Sequence, residues 1–158
     1  MKKSDLILIG VVLIIVVLAM FSSKGTKAYE EVEYPLSLVG EVGLHQINFE
    51  EYSTFVENNE AFIVIIERAG CSYCIQYMPI VSDVANEKNI PIYYIDTDTL
   101  SSEELNELST TNSYLKKNNW GTPTTLFMLG DRVLDSLPGY VEKETLLEFI
   151  DGKVVVGE

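Results

Sequence analysis

The reactive side chains of this chain are two thiols, Cys71 and Cys74, the only cysteines among its 158 residues, held three apart in Cys71-Ser72-Tyr73-Cys74. The residues before the pair, Ala61 to Ile66 (AFIVII), form a continuous β-branched run of the kind that fills a strand buried on both faces. Those after it, to about Lys88, read as a helix. Cys71 therefore falls at a helix N-terminus, where unpaired backbone N–H groups and the helix dipole favour an anion. A thiolate is that anion. Such placement lowers a cysteine pKa from about 8.5 into the range of roughly 3.5 to 7.5, which makes the first thiol a nucleophile near neutral pH. Cys74 stands one turn deeper, close enough to close a ring with Cys71 and shielded enough not to react first. The bare spacing also fits half a zinc site or a structural disulfide. There is no second pair of this kind, and His45 is the one other soft ligand, so a structural zinc would need carboxylates to complete it. His45 reads as a structural residue, and neither a metal nor an organic cofactor is expected.

The elements that must hold this pair alternate. Leu44 to Ile47 reads as a short strand, and Asn48-Phe49-Glu50-Glu51 is a capping box opening a helix to about Asn58. Strand Ala61 to Ile66 and the helix from Cys71 follow. Ile90 to Ile95 (IPIYYI) is a second buried strand, and Ser101-Ser102-Glu103-Glu104 caps a helix reaching toward Asn118. Thr124 to Leu129 and Arg132 to Ser136, split by Gly130-Asp131, make a hairpin, and Val141 to Ile150 closes with a helix. Strands joined by helices pair in parallel with helices on both faces, and the hairpin adds an antiparallel edge. The class is α/β with a central mixed sheet.

The second chemical signal is Trp120-Gly121-Thr122-Pro123-Thr124, which runs straight into the strand Thr124 to Leu129. With the strand, cysteine pair and helix unit, Pro79 five residues after Cys74, and Gly139, it makes the stretch from Ile47 to Ile150 resemble the thioredoxin-like superfamily. Pro79 should bend its helix, because it removes one hydrogen bond of the ladder. The resemblance implies a thioredoxin-like fold, a cis Thr122-Pro123 bond packed beside the cysteines, and thiol-disulfide exchange. In that reaction Cys71 and a substrate cysteine form a mixed disulfide, which Cys74 resolves. Thr122 and Pro123 would shape a groove for an extended substrate. Tyr73 and Trp120 would form its apolar lip, Trp120 being equally readable as a packing residue. The size, the N-terminal apolar segment and the cysteine motif also resemble membrane-anchored extracytoplasmic disulfide-exchange and bacteriocin-transport accessory proteins of Gram-positive bacteria. A non-catalytic accessory module holding a partner or metal at the two cysteines is the alternative.

Two departures from the family pattern stand out. Thioredoxins carry Trp before the first cysteine and Gly-Pro between the two; here Gly70 and Ser72-Tyr73 fill those places. They also bury an aspartate six residues before the first cysteine, where this chain has Ile65. Glu67 shares the strand face of Ile65 by alternation and is the candidate proton acceptor. With Arg68 it reads equally as a solvated strand-end charge.

Residues Leu6 to Phe21 (LILIGVVLIIVVLAMF) carry no charge and follow Lys2 and Lys3. With flanking serines the run makes a transmembrane helix over about 5–22, and residues 1–28 read as a signal anchor that leaves the rest extracytoplasmic. Thr26 to Ala28 resembles a signal-peptidase site, so cleavage is the competing outcome. Residues 29–43, acidic with Pro35, Gly40 and Gly43, read as a linker, and 44–158 as the thioredoxin-like domain. Beyond residue 28 the chain has 7 basic and 23 acidic residues, a net charge of −16 that repels nucleic acid and anionic lipid. The partners expected are a cysteine-containing exported protein or peptide, a redox-recycling protein at the membrane, and the membrane itself through the N-terminal helix.

Overall fold

The computed structural model describes residues 31–155. The expected anchor over 5–22 lies outside them, and no helix among the described residues is long and apolar enough to cross a membrane. Five strands form the main sheet: β2 (Gly43–Gln46), β3 (Ala61–Glu67), β4 (Pro91–Asp96), β5 (Thr124–Leu129) and β6 (Arg132–Pro138). Their spatial order is β2-β4-β3-β5-β6. β4 pairs in parallel with both β2 and β3, whereas β5 runs antiparallel to β3 and to β6. The mixed sheet read from the sequence is therefore the one observed, with the hairpin on its antiparallel side.

Both capping boxes form. Asn48 opens α1 (Phe49–Glu57), its Oδ1 accepting from the Glu51 N–H while Glu51 Oε2 accepts from the Asn48 N–H, both at 2.9 Å. Ser101 and Glu104 do the same for α3 (Ser102–Thr111). Between them, α2 (Ser72–Lys88) runs through Pro79 and ends where Asn89 turns left-handed at φ +54°. α4 (Lys143–Ile150) closes the unit. Alternation along β3 divides the core. Ala61, Ile63 and Ile65 pack with Tyr77 and Val81 of α2 and Leu146 and Phe149 of α4. Phe62, Val64 and Ile66 pack on the other face with Tyr52 of α1 and Leu108 of α3. All seven β3 residues are buried, so the strand leading to Cys71 is the most enclosed part of the sheet.

Two expectations change. The helix opened by Ser101 stops at Thr111 rather than near Asn118, because buried Asn112 turns its Oδ1 onto the N–H groups of Tyr114 (3.0 Å) and Leu115 (3.1 Å) and starts a separate turn. The stretch read as a linker, 29–43, contributes to the fold from Glu33 onward. Leu36–Ser37 (β1) pairs in parallel with Val154–Val155 (β7), and Leu38 is 5% exposed in the α2/α4 core. An apolar Leu-Ser-Leu-Val run is too short to show a period, yet long enough to plug a gap in that core.

Candidate active site

The site is built at the C-terminal end of β3. A tight turn, closed by the Cys71 N–H donating to the Arg68 carbonyl at 2.9 Å, carries the chain from the buried strand to α2. Cys71 is the N-cap of that helix, not its first residue: its Sγ accepts the Cys74 N–H at 3.3 Å, the role an Asn or Ser oxygen plays at other helix starts. Cys74 sits inside the first turn, 1% exposed, and both cysteines are free thiols.

Opposite them lies the loop before β5. The Thr122–Pro123 bond is cis, as the resemblance implied. Cys71 Sγ donates to the Thr122 carbonyl at 3.3 Å, so that carbonyl is occupied in the dithiol form rather than free for a substrate strand. Two further bonds fix the loop: Thr124 Oγ1 donates to the Gly121 carbonyl (2.6 Å), and the Gly139 N–H donates to the Pro123 carbonyl (2.8 Å). Gly139 holds φ +77°, a left-handed conformation that a side chain disfavours. Pro123 is buried and Thr122 half-buried.

The sequence pattern of the thioredoxin-like domain matches residues 49–152. The chain belongs to that family. Its fold is similar to that of a thioredoxin from Nicotiana alata, at 15% identity and a TM-score of 0.53, covering 72% of this chain and 95% of that one. A thioredoxin from Aeropyrum pernix gives 21% identity and 0.52, with 70% and 93% covered. Thioredoxin f from spinach chloroplast gives 15% and 0.54, with 72% and 96% covered. At these identities the likeness is one of fold.

Within this thioredoxin-like domain the two thiols differ sharply. Burial pushes the Cys71 thiol up, but hydrogen bonds from the Cys74 and Thr122 side chains and from the Cys74 and Tyr73 backbone outweigh it and leave Cys71 below its ordinary value. Burial likewise raises Cys74, the hydrogen bond to Cys71 raises it further, and the sum is a thiol pushed up to about 11. One sulfur is poised to ionise and reach solvent; the other stays protonated beneath it.

The remaining sequence candidates divide. Tyr73 is 63% exposed beside Cys71, as is Ile75 one turn of backbone further on. Trp120 is half-buried against the α1/α3 core, which is the packing reading, and no ring contact with Tyr73 occurs among the described residues. Glu67 is 6% exposed, which overturns the solvated strand-end reading; the exposed neighbour is Arg68 alone. Burial, then Asp96, then Asp98 push the Glu67 carboxyl up to about 7. His45 is structural in its contacts, its Nε2 lying 3.0 Å from the Glu41 carbonyl and its ring against Tyr93. Among the described residues no three His, Cys, Asp or Glu side chains gather to hold a metal ion.

Sequence reasoning missed Asp96. Its Oδ1 accepts from the Ala69 N–H at 3.3 Å and the Asp98 N–H at 3.0 Å, pinning the turn that presents Cys71. Thr97 Oγ1 reinforces this by donating to the Glu67 carbonyl at 3.0 Å. The signal was present in Asp96-Thr97-Asp98-Thr99, a cluster of short capping side chains straight after a strand, but nothing local says which loop it would cap.

Proposed function

We propose that this protein is a membrane-anchored thiol-disulfide oxidoreductase whose domain works on the extracytoplasmic side. The observation that carries the chemistry is the division of labour between two adjacent thiols: Cys71, lowered and accessible at the helix start, and Cys74, buried and raised to about 11. A thiolate at Cys71 attacks a substrate disulfide and displaces one of its sulfurs, leaving a mixed disulfide. Cys74 then loses its proton, attacks Cys71 Sγ, and releases the substrate as a thiol while the Cys71–Cys74 bond forms. Run backwards, the same steps oxidise a substrate dithiol. Leaving the Thr122 carbonyl, Cys71 frees that group and the neighbouring backbone to pair with an extended substrate segment. Exposed Tyr73 lies alongside as an apolar contact. The substrates of this reading are exported proteins or peptides that carry cysteine, and a membrane-associated redox partner resets the pair.

Support for the anchor is the uncharged run Leu6 to Phe21 behind Lys2 and Lys3. The decisive experiment expresses the full chain with Cys74→Ser or Cys71→Ser and isolates mixed disulfides. Cys74→Ser should accumulate them through Cys71, and Cys71→Ser should not; equal yields from both would refute the assignment. Protease added to intact cells should digest the domain, and full protection there would refute the topology.

A further inference from the structure

Between α1 and α3, on the face of the sheet away from α2 and α4, lies a cavity of about 170 Å³ that opens to solvent. A space of about 150 Å³ holds a benzene ring in other protein interiors. Its walls are the rings of Phe49 and Tyr52, stacked at 6.0 Å and 27°, and the side chain of Val56. Tyr52 is 4% exposed, and its hydroxyl accepts from Asn112 Nδ2 at 3.1 Å, which leaves the oxygen a second lone pair.

The rim is acidic. Glu57 comes from α1, Glu107 from α3 and Asp131 from the turn between β5 and β6, and all three are exposed. The three lysine ion pairs among the described residues go to Asp151, Glu87 and Asp135, so none of them neutralises this rim. Three carboxylates on three separate elements repel one another around an apolar floor, an arrangement that a cation relieves. The place is remote from the thiols. Leu129, just before the Asp131 turn, pairs with Ala61 at the start of β3, whereas Cys71 follows the end of that strand. The seven residues of β3, roughly 23 Å of strand, separate the two ends.

We propose that this cavity is a docking site for an arginine side chain presented by a basic segment of a partner protein. The arginine stem lies along Val56, and the guanidinium stacks on the half-buried ring of Phe49. Its five N–H donors serve the free lone pair of Tyr52 and the rim carboxylates together. Lysine matches the charge but has neither the planar face for the ring nor the rigid fork of donors for several acceptors. Beyond residue 28 the net charge of −16 draws a basic segment in from a distance, and the cavity fixes where it settles. A partner held there leaves Cys71 uncovered. The docking site is therefore separate from the exchange chemistry and does not rest on it.

The test follows amide resonances of isotope-labelled full-length protein in nonionic detergent. The probe is an end-capped pentapeptide with arginine at its centre and alanine elsewhere, added at low ionic strength. Saturable shifts are expected at Ser53, Val56 and Thr111, which line the cavity, and none at Cys71 or Cys74. A citrulline peptide, of the same shape without the charge, should give no saturable shift, and a lysine peptide should bind at least about threefold more weakly. Glu57→Gln with Glu107→Gln should weaken arginine binding by about fivefold or more. Ser53→Leu, which fills the cavity without altering any charge, should abolish it. Glu144→Gln with Glu148→Gln, the same charge change on α4 across the sheet, should stay within about twofold of wild type. The rim variants should also release thiolate from the aromatic disulfide dithiobis-nitrobenzoate at the wild-type rate. Shifts that do not saturate or that spread over the whole acidic surface would overturn the inference. So would equal binding of the citrulline or lysine peptide, wild-type binding by Ser53→Leu, equal losses in the rim and α4 variants, or slowed thiolate release in the rim variants.

Discussion

Removing the Cys74 thiol should make Cys71 a poorer nucleophile even before a resolving step is reached. Burial raises Cys71; it nevertheless lies below its ordinary value because the Cys74 and Thr122 side chains and two backbone groups hydrogen-bond its sulfur. Cys74→Ala deletes one of those four and leaves the rest. A hydrogen bond to a charged acceptor contributes about 1.5–3 kcal/mol, and a thiol is among the weaker donors, so about 1 kcal/mol is expected here. That corresponds to a rise of about 0.7 pKa unit, or about fivefold less thiolate at any pH well below the midpoint. Cys74→Ser retains a donor and should stay within about twofold of wild type. The assay is the rate of single alkylation by iodoacetamide across pH 4.5–9, followed by intact mass. In wild type it reads Cys71 cleanly, since a thiol at about 11 is ionised in only about one molecule in ten thousand at pH 7. If Cys74→Ala superimposes on wild type, or titrates lower, the sulfur-to-sulfur hydrogen bond does not hold Cys71 down and the account of its reactivity fails.

Further outcomes test the scaffold. Glu67 binds its proton more tightly folded than unfolded, so the stability it contributes is complete below about pH 4.5 and lost as pH rises through about 7. Relative to Glu67→Gln, wild type should lose about 2 kcal/mol across that window in urea midpoints, a figure already reduced for the open strand end. Tyr77→Phe should cost about 1 kcal/mol by orphaning the Thr125 hydroxyl that lies 3.0 Å from the phenol in the core, and Thr125→Val added to it should recover part of the loss. Gly130→Ala should destabilise more than Gly139→Ala. Both glycines are left-handed, but a Cβ at 130 would stand 2.5 Å from Asn59 Oδ1 and 3.2 Å from Asn59 Cα, whereas one at 139 meets nothing within 4 Å. The second should cost about 1–2 kcal/mol in thermal denaturation and the first more.

What could be read from the sequence was what short-range chemistry dictates. Asn48 to Glu51 and Ser101 to Glu104 carry their own hydrogen-bond partners within one turn, so both helix starts were legible. The all-apolar β3 and the spacing of Cys71 and Cys74 were equally local. The errors lie where a distant partner decides. Nothing near Glu67 reveals that Asp96 stands opposite it, because a parallel register is set by the whole crossover through α2. Without that partner an acid beside an arginine looks like a solvated strand end. Likewise Leu36 to Leu38 carries no pattern of its own; only Val154 and the α2/α4 core give it a place. Helix α3 ends early because the Asn112 amide is drawn inward, its Nδ2 donating to the Tyr52 hydroxyl at 3.1 Å, a pull no propensity scale contains.

The pairing of β1 with β7 joins the beginning of the folded unit to its end. A two-residue ladder has little persistence of its own. It survives because Leu36 and Val154 lean on the core that Leu38 enters. The entropic cost of bringing such remote segments together is met only after the sheet between them exists, so this clasp is expected to close late in folding and to open early. Its amides should therefore exchange with solvent hydrogen well ahead of those in β3. The opening would also be shared: when Leu36 lets go, Val154 loses its ladder, and the two ends of the domain come loose as one event.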